Sequence, residues 1–220
     1  VLPLSSGGNR KKILLQLVTI YSNLDRFGVS GAYLEGLKWI EMLEANHSLS
    51  QKEEWQVNEM KALLLNERGN QDEFLPIWYK LLKQYREADR PEDVGKCLLT
   101  IANHFIMLED YENALPLYKE AYQLALEHKS IELQQVSGIM LIKYLCGAGY
   151  YSESLEYYNK IKPEIAFNPS MQNEVVKSYM ELNKPDSARI YLAARLLSER
   201  GDKIVLNCMM AETYIPEGQE

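Results

Sequence analysis

Apolar residues recur along this chain at helical spacing. Leu98, Ile101, Ala102 and Phe105 fall at i, i+3, i+4 and i+7, and so do Tyr111, Ala114, Leu115 and Tyr118. That spacing lays one apolar stripe along a 3.6-residue helix. Strand signals are almost absent, since no run of alternating β-branched residues is bounded by turn residues. The pattern instead predicts helix after helix, at roughly 17- to 20-residue intervals.

Eleven helices follow from the pattern, over about 10–25, 31–46, 51–68, 71–88, 91–108, 111–129, 131–148, 151–161, 169–182, 185–200 and 203–214. The punctuation agrees with them. Gly69 and Gly201 suit positions just past a helix end. Ser50-x-x-Glu53 has the spacing of a capping box before Trp55. Pro91, Pro169 and Pro185 suit first-turn positions, with acidic residues close behind Pro91 and Pro185. Connections are mostly short, so successive helices should pack antiparallel as hairpins.

The hairpin repeats. Leu75-Pro76 recurs as Leu115-Pro116, 40 positions on, and Trp78, Tyr118 and Tyr158 share that interval. Ala114 and Ser154 are also 40 apart, whereas Ser154 and Ala188 are 34 apart. Proline inside a helix costs about 3 kcal/mol. Its return at one register predicts a shared shallow kink near the start of both helices.

These residues resemble the tetratricopeptide repeat. The best-matched unit is Leu98, Ile101, Ala102 and Phe105, then Tyr111, Ala114, Tyr118 and Ala121. The next holds Leu141, Ile142, Leu145, Tyr151, Ser154 and Tyr158, and a third Val175, Val176, Tyr179, Ala188 and Leu192. Upstream, Ala62, Leu65, Phe74, Trp78 and Leu81 form a divergent unit, with Phe74 replacing the usual small residue; Gly36 and Ile40 belong to a weaker one. The family's late proline is missing, and Leu126 and its neighbours continue the helix.

The resemblance implies an all-α fold, a right-handed α–α superhelix of antiparallel hairpins. It would run as a single solenoid over 10–214, with repeats at 91–129, 131–161 and 169–200 and divergent ones at 10–46 and 51–88. Residues 1–9 read as a flexible lead-in, and 203–220 as the first helix of an incomplete or capping repeat plus a tail. The family's repeat is about 34 residues, so a 40-residue interval implies helices longer by most of a turn each. Small Ala102 and Ala114 would let two helices approach closely, with Phe105, Tyr111 and Tyr118 filling the space between hairpins. A single hairpin cannot bury its own apolar face, so stacking supplies the core.

Composition narrows the function classes. Of 220 residues, 46% are hydrophobic and 25% charged, as in an ordinary globular protein. A net charge of −7 argues against a broad nucleic-acid surface. No run reaches the roughly 18 apolar residues of a membrane helix. Cys97, Cys146 and Cys208 are odd in number and widely spaced, which fits neither a disulfide framework nor a zinc site. They favour a reducing, cytoplasmic compartment; a periplasmic one stays open if this chain, which starts at Val1, is a trimmed fragment.

No catalytic or cofactor motif is found. His47, His104 and His128 have no carboxylate at metal-ligand spacing. Ser5-Ser6-Gly7-Gly8-Asn9-Arg10-Lys11 has the composition of a phosphate loop without its spacing. The expectation is therefore a non-enzyme with no metal and no cofactor. Among fifteen tyrosines, Tyr111, Tyr118, Tyr151 and Tyr158 occupy repeat positions and should pack inward, while Tyr85, Tyr122 and Tyr157 are candidates for exposed contacts.

What is left is a surface. In the family resembled, the first helix of each hairpin lines a concave groove. Carried over, that gives Gln56, Glu59, Leu63 and Asn66; Lys96, Leu99, Asn103 and Ile106; Val136, Ile139, Lys143 and Cys146; and Asn173, Lys177 and Met180. The chief candidates are Lys96, Leu99, Asn103, Ile106, Ile139, Lys143, Asn173 and Lys177. Lysine and asparagine can hold a peptide's carboxylates and backbone while apolar neighbours take its side chains. The apolar run Ile204 to Ala211 suggests that the last helix contacts a further repeat, another domain or a second copy. Two functions follow: a scaffold binding a protein or peptide segment, or a ligand- or partner-sensing segment of a larger protein, as in bacterial multidomain regulators.

Overall fold

The computed structural model describes residues 7–66, 71–165, 171–197 and 203–214. Eleven helices carry them: α1 (Gly7–Arg26), α2 (Ala32–Asn46), α3 (Gln51–Asn66), α4 (Gln71–Glu87), α5 (Pro91–Met107), α6 (Tyr111–Glu127), α7 (Ile131–Gly147), α8 (Tyr151–Ile165), α9 (Gln172–Glu181), α10 (Pro185–Leu197) and α11 (Lys203–Glu212). No strand occurs among the described residues. Helix α1 starts at Gly7, inside the stretch expected to be a loose lead-in, and α8 runs on to Ile165. Gly69, Pro169 and Gly201 lie outside the described residues.

The repeat interval has a local cause. Helices α4, α5, α6 and α7 are each 17 residues long, and three-residue turns separate them. One helix and one turn make 20 residues, so a hairpin makes 40. The middle turn residue is left-handed each time: Asp89 (φ 51°), Glu109 (φ 58°), Lys129 (φ 55°) and Gly149 (φ 84°). The next N–H then reaches the carbonyl five residues back: Arg90 to Tyr85 at 3.0 Å, Asp110 to Phe105 at 2.9 Å, Ser130 to Ala125 at 2.9 Å and Tyr150 to Leu145 at 2.8 Å. Asn183 (φ 54°) and the 2.8 Å bond from Lys184 to Tyr179 repeat the device after α9. This closure satisfies carbonyls the helix end leaves open. Pro76 and Pro116 both occupy the sixth residue of their helix, and Pro91 and Pro185 the first.

The chain divides into two compact units, 1–90 and 91–220. In the first, α1 packs on α2, both meet α3, and α3 meets α4. Its core holds Leu14, Val18, Ile40, Leu43, Val57, Met60 and Leu64. The Ser50–Glu53 box forms on one side only. The Ser50 N–H and hydroxyl both donate to Glu53 Oε2 at 2.7 Å, so the hydroxyl serves the carboxylate instead of a backbone N–H. Lys11 of α1 donates to the same oxygen at 2.6 Å and to the Ser48 carbonyl at 2.8 Å. Phe74 is buried where the repeat pattern has a small residue.

In the second unit, each helix from α5 to α11 packs on the next. The odd-numbered helices also pack backbone to backbone, α5 with α7 and α7 with α9, whereas α6 and α8 meet through side chains, Tyr122 against Tyr157 and Lys119 paired with Glu153 at 2.7 Å. Helices α5, α7 and α9 therefore form one layer, the more closely spaced of the two. Ala102 and Ala114 are fully buried where α5 and α6 meet, beside Tyr118, Leu141, Ile142 and Leu145. Ser154 takes the place of Ala114 one hairpin on, and its buried hydroxyl donates to the Ile142 carbonyl at 2.8 Å.

Two tyrosines expected to be exposed are buried. Tyr85 is 3% exposed and donates to Glu59 at 2.6 Å; Tyr122 is 5% exposed and packs edge-on against Tyr157. Tyr85 lies seven residues after Trp78, and Tyr122 four after Tyr118, so each shares the inward face of its helix. The apolar side of α11 is partly covered from within: Leu206 is buried with Val176, Ala188 and Leu192. Arg189 fastens its end, donating to the Thr213 carbonyl at 2.6 Å and lying 3.9 Å from the Tyr214 ring centre.

Candidate functional site

The layer of α5, α7 and α9 carries most of the polar candidates. Asn103, Lys143 and Lys177 stand at successive intervals of 40 and 34 residues, the two intervals of the repeat. All three are exposed, as are Lys96 and Asn173. Leu99, Ile106 and Ile139 are half-buried between them. Gln56, Leu63 and Val136 are exposed, Glu59 and Met180 half-buried, and the Asn66 side chain lies outside the described ones. Cys146 is not a surface residue. It is 2% exposed, its thiol donates to the Glu174 carbonyl at 3.5 Å, and burial pushes its pKa up. Helix α9 covers it by packing on α7, which no pattern within α7 reveals.

Side chains behind the layer determine what it offers. Tyr118 is fully buried and donates its phenol proton to the Asn103 side-chain oxygen. Burial, with Tyr144 beside it, pushes the Tyr118 phenol well above its ordinary range, so it stays a donor. Tyr144 stacks on Tyr118 at 5.4 Å between ring centres, 17° from parallel. Because the Asn103 oxygen is engaged, the amide N–H2 is the end left for solvent or ligand.

The two lysines add to this. Lys143 Nζ lies 5.3 Å from the Tyr144 ring centre, and Lys177 Nζ 6.0 Å from that of Tyr151. An aromatic face attracts a cation without satisfying its hydrogen-bond donors. Neither lysine, nor Lys96, forms an ion pair with a described residue. Asn103, Lys143 and Lys177 thus present donors only, a chemistry suited to carboxylates and backbone carbonyls.

The histidines are scattered. His104 is buried, and burial lowers its pKa; His47 ends α2 and His128 ends α6. Among the described residues no three His, Cys, Asp or Glu side chains are placed to hold a metal ion, and no helix is long and apolar enough to cross a membrane. Of the stretch with phosphate-loop composition, Gly7 to Lys11 is helical, and Lys11 is paired with Glu53.

No family model and no curated protein matches the chain. A solved structure does: the Signal Transduction ATPase with Numerous Domains (STAND) protein with a tetratricopeptide repeat sensor, from Pyrococcus horikoshii. It superposes with a TM-score of 0.75 at 16% identity and covers 99% of this chain. This chain spans 35% of the length of that one. The fold is a tetratricopeptide-like helical repeat.

Proposed function

We propose that this chain is a non-enzymatic scaffold that binds a protein or peptide segment along the layer formed by α5, α7 and α9. The observation that carries the reading is the row Asn103, Lys143 and Lys177, three exposed donors at one repeat register with no acceptor among them. Extended peptides are rich in carbonyl acceptors, and acidic side chains add charge-assisted bonds. Half-buried Leu99, Ile106 and Ile139 supply apolar contact beside the donors.

Fluorescence anisotropy with a labelled acidic peptide tests the reading. The peptide should bind more tightly than a neutral one of equal length, and Lys143→Glu with Lys177→Glu should abolish the difference. Equal binding of both peptides to the unaltered chain would remove the basis for it.

A second reading is that the same surface senses a ligand or partner for a larger signalling protein. It is favoured by the fold likeness to a STAND protein described as having a tetratricopeptide repeat sensor. The two readings part at one experiment. In a sensor, Lys143→Glu changes the output of the protein that carries the array. In a scaffold, it changes only the recovery of a bound partner.

A further inference from the structure

A cavity of about 260 Å³ opens between the starts of α5 and α7, lined by Glu92, Lys96, Leu99, Ser130, Glu132, Leu133 and Val136. Its floor is apolar and depends on a close approach. A Cβ on Gly95 would stand 2.3 Å from Leu133 Cδ2, so Leu133 lies directly against the α5 backbone. With Leu99 and Val136 it forms a floor with room for one large apolar side chain.

The rim is polar and unspent. Glu92 and Glu132 are the second residues of α5 and α7, 40 apart, and so occupy the same place in successive repeats. Neither carboxylate, nor Lys96, pairs with a described residue. Ser130 precedes α7 without its side chain capping the helix. Two carboxylates face one ammonium, so the rim favours a cation.

The geometry points to a subsite for a peptide's apolar side chain next to a basic one. The apolar group fills the cavity over Leu99, Leu133 and Val136. The ammonium or guanidinium lies between Glu92 and Glu132, and Lys96 donates to a peptide carbonyl. This rests on the reading of the α5–α7–α9 layer as a peptide-binding surface, and refines it. The row at Asn103, Lys143 and Lys177 selects acidic groups, whereas this end, where Glu92 lies about 16 Å from Asn103 along α5, selects basic ones.

Three fluorescein-labelled peptides test the subsite by anisotropy on the full chain: Gly-Gly-Leu-Arg-Gly-Gly, Gly-Gly-Leu-Glu-Gly-Gly and Gly-Gly-Ser-Arg-Gly-Gly. The Leu-Arg peptide should bind about fivefold more tightly than either other. Glu92→Gln with Glu132→Gln should bring Leu-Arg to the level of Leu-Glu, with the circular dichroism spectrum unchanged, because both carboxylates are exposed. Lys143→Glu with Lys177→Glu should leave the Leu-Arg preference in place. Equal affinity of Leu-Arg and Leu-Glu, a preference that survives the glutamine pair, or no binding by any of the three overturns the subsite. If acidic peptides still need Lys143 and Lys177, the subsite alone fails; if the Leu-Arg preference stands without that need, the row alone fails.

Discussion

Tyr118 of α6 donates its phenol proton to the side-chain oxygen of Asn103 on α5. The bond joins a core residue to a surface candidate, and turns the Asn103 amide N–H2 toward the surface. Tyr118→Phe keeps the ring's packing and deletes the bond. It should cost about 1 kcal/mol, because the exposed Asn103 oxygen can turn to water. Urea unfolding checks the value; a loss beyond about 3 kcal/mol would mean that the hydroxyl has a larger structural part than this single bond.

Ala102 and Ala114 are fully buried between α5 and α6. Ala114→Arg would bury an unpaired charge and should lower stability by about 4 kcal/mol or more, enough to remove most of the helical signal of residues 91–220. Ala114→Ser should stay within about 1 kcal/mol of the parent, since the equivalent Ser154 is accommodated by a carbonyl on the preceding helix. Thermal melts followed by far-ultraviolet circular dichroism separate the two variants, and similar melting points would contradict the packing account.

Lys129 has a left-handed backbone at φ 55°. That conformation strains an ordinary residue by about 1–2 kcal/mol, whereas glycine adopts it freely but gains entropy when unfolded. Lys129→Gly should therefore stabilise by about 0.5 kcal/mol and raise Tm by ~2 °C. A lower Tm would show that the lysine side chain contributes more than its backbone strain costs.

Glu53 gathers bonds from Lys11 and Ser50, and these pull its carboxyl from 4.5 down to about 2. A depressed folded-state value stabilises above the unfolded value and is lost as pH falls toward the folded one. Glu53→Gln should thus lower stability at pH 7, with the deficit shrinking below pH 4.5 and closing near pH 2. All three tryptophans, Trp39, Trp55 and Trp78, lie within the same unit as Glu53. Their fluorescence during urea unfolding follows the deficit, and a deficit that does not change with pH would rule out the ion pair as its source.

Much of the fold is legible in residue spacing because a helix buries one face. The eleven helices come from that rule, and so do Tyr85 and Tyr122 once counted from Trp78 and Tyr118, although aromatic surface contacts are the more obvious reading of them. The turns are harder. Asp89, Glu109 and Lys129 adopt left-handed backbones without glycine, because the carbonyl-closing bond and the helices on either side impose the conformation. The candidate surface is legible only in part. Exposure of Asn103, Lys143 and Lys177 follows from register, but burial of Cys146 depends on α9, and the orientation of Asn103 on a tyrosine from another helix.

The account rests on the donor row of α5, α7 and α9. Its most direct test is a titration of the isotope-labelled chain with an acidic peptide, followed by the side-chain amide resonances of Asn103 and the Nζ resonances of Lys143 and Lys177. The account predicts saturable shifts concentrated on these three groups, with the Asn103 N–H2 moving downfield as it gains an acceptor. Shifts concentrated elsewhere, or none while the peptide binds, would contradict it.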